Sequence, residues 1–180
     1  MNADTVINLE PLELPRDLAL VHGWVTHPKS EFWMMQDASL QDVATEYGQI
    51  LEHPHHDAWL GRVGRRPAFL AETYDPARAD AVGLAGLPEL RAGDLGMHVL
   101  VAPTDHPVPG FTRAVFRAVM DHCFADPAVR RVVVEPDVRN DRIAALNKEA
   151  GFVLERVISL PGKEAALSFC TRAAYLEARQ

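Results

Sequence analysis

The residues best suited to chemistry lie between Asp94 and Phe152. The first part reads DLGMHVLVAPTDHPVPGFTRAVFRAVMDHCF, and after five residues the chain resumes as RRVVVEPDVRNDRIAALNKEAGF. His98 sits in an apolar run with strand alternation, which puts Met97, Val99 and Val101 on one face and His98 and Leu100 on the other. Imidazole titrates near neutral pH, so His98 can take a proton from an attacking nucleophile, or it can be a satisfied structural histidine. Glu135 and Asp137 end a continuously apolar strand, where open sheets commonly bind ligands. One of them could orient His98 or hold a substrate. Equally, Asp137 could cap the turn, and Glu135 could pair with Arg130 or Arg139.

Between the two strands runs a loop that opens a helix. Backbone N–H groups at a helix N-terminus carry partial positive charge and bind phosphate oxygens. Gly110 lets the backbone approach closely, Thr112 adds a hydroxyl and Arg113 a fixed charge. Proline-rich His106–Pro109, with Val108 in it, makes the loop stiff. An ordinary strand–helix connection is the competing reading.

These groups need elements to position them. Val6, Leu9, Leu12 and Leu14 suggest a first strand. Asp17 is a plausible N-cap for a helix ending near Thr26. Ser39 or Asp37 caps a helix whose apolar positions are Val43, Tyr47, Ile50 and Leu51. His53-Pro54-His55-His56 reads as a solvated loop, because that spacing across a proline fits no common zinc site. Ala58–Val63 and Pro67–Tyr74 read as a hairpin turning at Gly64-Arg65-Arg66. Residues 75–93 read as a loop, Gly96–Val101 as a strand, Phe111–Phe124 as a helix and Val132–Glu135 as a buried strand. A helix over Asp141–Ala150 ends at Gly151. Val153–Leu160 and Glu164–Thr171 follow, joined at Pro161-Gly162. The pattern predicts one α+β domain over residues 1–180, with a central mixed, mostly antiparallel sheet and helices on both sides.

Composition bounds the partners. The chain has 180 residues, 48% hydrophobic and 24% charged, with a net charge of −7. That is a globular composition, and its acidity argues against nucleic acid. No apolar run approaches the roughly 20 residues a membrane span needs. Cys123 and Cys170 lie far apart and form no metal-like pair, which with the absence of a leader pattern predicts a cytoplasmic protein without metal. No serine stands in a Gly-x-Ser-x-Gly context, so a serine hydrolase has little support. Oligomeric state is open.

The 94–152 arrangement resembles the GNAT superfamily of N-acetyltransferases. The matching pieces are Val99-Leu100-Val101, the loop through Gly110-Phe111-Thr112-Arg113, Val132–Glu135, Asn140 and Ala150-Gly151-Phe152. Two features depart from the superfamily. Its Arg/Gln-x-x-Gly-x-Gly/Ala loop is replaced by His106-Pro107-Val108-Pro109-Gly110-Phe111-Thr112, and its frequent tyrosine acid, four residues before the Gly-Phe, stands here as Asn147. Over nearly its full length the chain looks like siderophore-biosynthesis acyltransferases that make hydroxamates. The residues that carry this are His27-Pro28 with Phe32-Trp33-Met34-Met35, Phe69–Asp75, Gly93–His98, and Glu135-Pro136-Asp137 with Arg139-Asn140. Within that branch, residues 22–29, 102–105 and 168–172 look most like desferrioxamine-type enzymes, which acylate N-hydroxycadaverine.

The resemblance implies a GNAT fold and an acyltransferase using acetyl-CoA or succinyl-CoA. The acceptor it implies is an N-hydroxylated diamine or amino acid. His98 becomes the base, with Glu135 or Asp137 assisting. Val99, Leu100, Val101, His106, Val108, Gly110, Phe111, Thr112, Arg113, Asn140 and Asn147 become the coenzyme A contacts. The acceptor falls to His27, Trp33, Met35, Glu72, Tyr74 and Asp75, with carboxylates for its distal ammonium. Acetyl against succinyl stays open, as does cadaverine against lysine or ornithine. A general amine or antibiotic acetyltransferase, or a non-catalytic acyl-CoA-binding module, is the alternative.

Overall fold

The computed structural model describes residues 6–180. In chain order the elements are β1 (Ile7–Pro11), α1 (Leu18–Val25), a 3-10 turn (Pro28–Trp33), α2 (Leu40–Glu52), β2 (His56–Val63), β3 (Arg66–Tyr74), a short 3-10 turn (Asp80–Val82) and β4 (Asp94–Val101). Then come α3 (Phe111–Cys123), β5 (Arg131–Val134), α4 (Asp141–Glu149), β6 (Val153–Leu160), β7 (Lys163–Thr171) and α5 (Arg172–Ala178). The strands form a seven-stranded sheet in the order β1-β2-β3-β4-β5-β7-β6. β1 is antiparallel to β2, β5 and β6 are antiparallel to β7, and β4 runs parallel to β5. This is the mixed α+β fold that the residue pattern predicts.

The chain divides into two compact units: Met1–Glu72 with His98–Val119, and Thr73–Met97 with Met120–Gln180. In the first unit, α1 and α2 cover an apolar core of Val21, Val25, Val43, Tyr47, Ile50, Leu60 and Leu70. The helix starts are set locally. Ser39 forms a capping box with Asp42, satisfying two donors of α2. Asp17 precedes α1 but does not cap it with its side chain. Its carboxylate accepts from Glu13 N and the Arg16 guanidinium instead.

In the second unit Tyr74, Leu84, Val133, Ile158, Leu167 and Phe169 form the core. β4 pairs with β5 over Asp94–Gly96 against Arg131–Val133. A bidentate Arg131–Asp94 ion pair, both contacts 2.7 Å, fastens that register, and the same guanidinium lies over the Phe169 ring at 4.2 Å.

Two readings are corrected. His56 is not in a solvated loop: it is the first residue of β2 and only 6% exposed. Alternation along β2 buries His56, Ala58 and Leu60 on one face. The chain also gains a terminal helix, α5, capped by the Thr171 side chain on Ala174 N.

Candidate active site

β3 presents Glu72 and β4 presents His98 within the first unit. His98 Nδ1 lies 3.0 Å from Glu72 Oε2. Glu72 is buried, whereas the His98 side chain is 30% exposed. A ring nitrogen facing a carboxylate carries the proton, so this contact makes Nε2 the basic nitrogen of His98. His56 Nε2 lies 3.5 Å from the same Oε2. The other carboxylate oxygen accepts from Tyr47 OH at 3.0 Å. Tyr47 in turn accepts from Trp33 Nε1 at 3.1 Å, and the Trp33 ring meets His98 edge-on with centroids 6.1 Å apart.

The electrostatics follow from this geometry. Burial works against the Glu72 charge, but the nearby His56 and the hydrogen-bonded His98 outweigh it and hold its pKa at about 2. Burial, together with the Glu72 charge, pushes Tyr47 well above its usual value, so Tyr47 stays a neutral donor. The arrangement is an ionised carboxylate holding a partly exposed imidazole, the geometry of an oriented general base.

The 106–113 segment belongs to the same unit. Thr104–Gly110, Thr112 and Arg113 are exposed, and Gly110 at φ 78° leads directly into α3. The helix therefore presents its first turn to solvent. The loop has an anchor the sequence reading passed over. Lys29 Nζ donates to Thr104 O and to Asp105 Oδ1, each at 2.7 Å. Thr104 Oγ1 accepts from His106 N. His27 caps the 3-10 turn by accepting from Lys29 N. Met35, with Trp33, packs against the first core.

The second unit holds the other predicted residues. Tyr74 OH donates to Glu135 Oε2 at 2.8 Å, and both side chains are buried. Lys163 Nζ donates to the Glu135 carbonyl at 2.7 Å and lies 3.7 Å from Oε1. Lys163 carried no signal beyond a charge near a turn. Asp137 takes three hydrogen bonds from Arg139, whose guanidinium holds its pKa down at about 2. Asp75 closes a turn through Ala77 N and pairs with Arg78. Asn140 Oδ1 caps α4 on Ile143 N. Asn147 is buried, and its Oδ1 meets no donor among the described residues. Among those residues no group of three or more His, Cys, Asp or Glu is arranged to hold a metal, and no helix is long and apolar enough to cross a membrane.

The structure thus joins Glu72, read from sequence as an acceptor contact, to His98. It adds His56 and Tyr47, which the sequence placed in a loop and in the core. It places Glu135 with Tyr74 and Lys163, and Asp137 with Arg139.

Known proteins resemble this chain at several levels. It is 28% identical over 161 residues to an N(5)-hydroxyornithine:cis-anhydromevalonyl coenzyme A-N(5)-transacylase of Beauveria bassiana (strain ARSEF 2860), covering 89% of this chain but 35% of that protein. The chain therefore spans only about a third of that relative's length. It is 24% identical over 168 residues to an aminoglycoside N(6')-acetyltransferase type 1 of Serratia marcescens, covering 91% of this chain and 83% of that one. A crystal structure of an aminoglycoside acetyltransferase in complex with coenzyme A and kanamycin superposes with a TM-score of 0.81 at 22% identity, covering 97% of this chain and all of the other (100%). Residues 13–160 match the family described as acetyltransferase (GNAT) domain, and the chain belongs to that family of N-acyltransferases.

Proposed function

We propose that the protein transfers an acyl group from acetyl-CoA or succinyl-CoA to the hydroxylamine nitrogen of an N-hydroxylated diamine resembling N-hydroxycadaverine. The product is a hydroxamate of the desferrioxamine type. The observation that carries this reading is the His98–Glu72 pair, an imidazole fixed by a buried ionised carboxylate. A hydroxylamine is less basic than an alkyl amine and arrives mostly neutral. The base then has only to remove one proton as the bond forms. The similarity to a hydroxyornithine transacylase supports an N-hydroxylated acceptor.

In the proposed reaction, acyl-CoA lays its pyrophosphate on His106–Arg113 and the first turn of α3. Its pantetheine runs along Val99–Val101. The hydroxylamine nitrogen attacks the thioester carbon, and His98 Nε2 takes the N–H proton. A backbone N–H near Leu100 steadies the developing oxyanion. The C–S bond then breaks and its electron pair leaves on the thiolate, which takes a proton from water. Trp33, Met35 and His27 wall the acceptor.

The aminoglycoside acetyltransferase similarity, which spans most of both chains, favours a second reading, an ordinary amine acetyltransferase. One panel separates the two. Thiol release is followed with acetyl-CoA and succinyl-CoA over N-hydroxycadaverine, N6-hydroxylysine, N5-hydroxyornithine, cadaverine and kanamycin. The hydroxamate reading expects N-hydroxycadaverine to exceed cadaverine in kcat/KM by at least about tenfold. Equal turnover of cadaverine, or preferred turnover of kanamycin, sinks it. Coenzyme binding without turnover of any acceptor identifies a binding module.

A further inference from the structure

His98 does not have Glu72 to itself. His56 Nε2 approaches the same carboxylate oxygen, Oε2, from β2, at 3.5 Å against 3.0 Å for His98. His56 and Glu72 are almost wholly buried, with side chains 6% and 8% exposed, while His98 reaches solvent. One buried oxygen is therefore shared by two imidazoles, only one of which a substrate can reach.

Other groups bear on the cluster. From α2, Tyr47 donates to Oε1, and the Glu46 charge acts on Tyr47. From the 3-10 turn, Trp33 contributes an uncharged N–H to Tyr47. Before β2, His53 and His55 face each other, and after His56 comes exposed Asp57. Tyr47 is held neutral, so of the groups within reach of the Glu72 carboxylate, His56 and His98 are the two that can carry positive charge.

We propose that His56 is a positioning residue for the His98 base: from 3.5 Å it offsets negative charge on Glu72 Oε2 that would otherwise hold a proton on His98. The sign is the same for either form of His56. A neutral ring with its proton on Nε2 turns an N–H dipole toward the carboxylate, and a cationic ring neutralises it. Each weakens the pull of Glu72 on a proton at His98. Without His56, Glu72 would clamp that proton, and His98 would be neutral only at higher pH. His56 thus sets the lowest pH at which the base is ready. This rests on reading His98 as the base.

The test compares the protein with His56→Leu, His56→Phe and His56→Gln, the last keeping a donor in place of Nε2–H. Nitrogen-15 titration of the His98 ring is read without substrates, and kcat against pH is read with acetyl-CoA and the best acceptor. Removing the donor should raise the His98 midpoint by about one pH unit, with His56→Gln between wild type and His56→Leu. The acidic limb of kcat should move up with it. An unchanged or lowered midpoint in His56→Leu and His56→Phe overturns the proposal, as does a His56→Gln indistinguishable from His56→Leu. If the midpoint rises but the kcat limb stays, the coupling stands and the assignment of His98 as base fails.

Discussion

At the scale of single residues, the Glu72 carboxylate is central because it is both buried and ionised. On the proposed reading His98→Ala removes the base, and should lower kcat by about 10²–10⁴-fold with little change in KM for acyl-CoA. Steady-state thiol release checks this, and near-normal turnover would refute the assignment. Glu72 also makes stability depend on acid. Its pKa falls from 4.5 unfolded to about 2 folded. Its contribution is therefore fully present above the unfolded value and is lost as pH drops through the folded one. Between about pH 5 and pH 2 that loss is of the order of 3 kcal/mol. Urea midpoints taken down that range should fall steeply for the wild type and less steeply for Glu72→Gln. Parallel slopes would show that Glu72 is not the responsible group.

At the scale of elements, β3 and β4 place the chemistry and their small residues fix the fit. A Cβ on Gly96 would sit 2.1 Å from the Tyr74 ring. Tyr74 is 1% exposed and donates to buried Glu135. Gly96→Ala should therefore cost about 1–3 kcal/mol or more through overpacking, read as a lowered Tm. An unchanged Tm would mean the ring has room to move. Much of this level was legible in the residue pattern: the period-2 run around His98, the four-residue spacing of Phe111, Val115 and Val119, the capping serine at 39 and Gly151 closing α4. His56 was not, because a His-Pro-His-His string reads as polar loop. The signal that finds it is the alternation of His56, Ala58 and Leu60, which continues β2 backwards by two residues. The Glu72 partnership was hidden for a different reason. Sequence shows that Glu72 lies inside an apolar strand, but not which histidine of another strand faces it. For the same reason Asp137, equally plausible on paper, proves tied to Arg139 two residues away.

At the scale of the whole molecule, the chain is acidic, at −7, and both thiols are buried. Burial pushes Cys123 and Cys170 up to about 12. A disulfide reagent at pH 8 should label the native protein slowly and the urea-unfolded protein at two thiols, so thiol release from coenzyme A can be followed over a low background. Rapid native labelling would contradict this. The Glu72 cluster has a last consequence, for how the molecule becomes competent after synthesis. Its links span 14 residues from Trp33 to Tyr47, 25 from Tyr47 to Glu72 and 26 from Glu72 to His98. Glu72 and His98 stand on neighbouring strands joined by a long connection, not within one helix or tight turn. Closing loops of that size delays such contacts relative to local ones. A nascent chain that has emerged only through β3 holds Glu72 without His98. On the proposed reading the base therefore arrives with β4, and a chain stalled before it offers Glu72 to Tyr47 and His56 but not to His98.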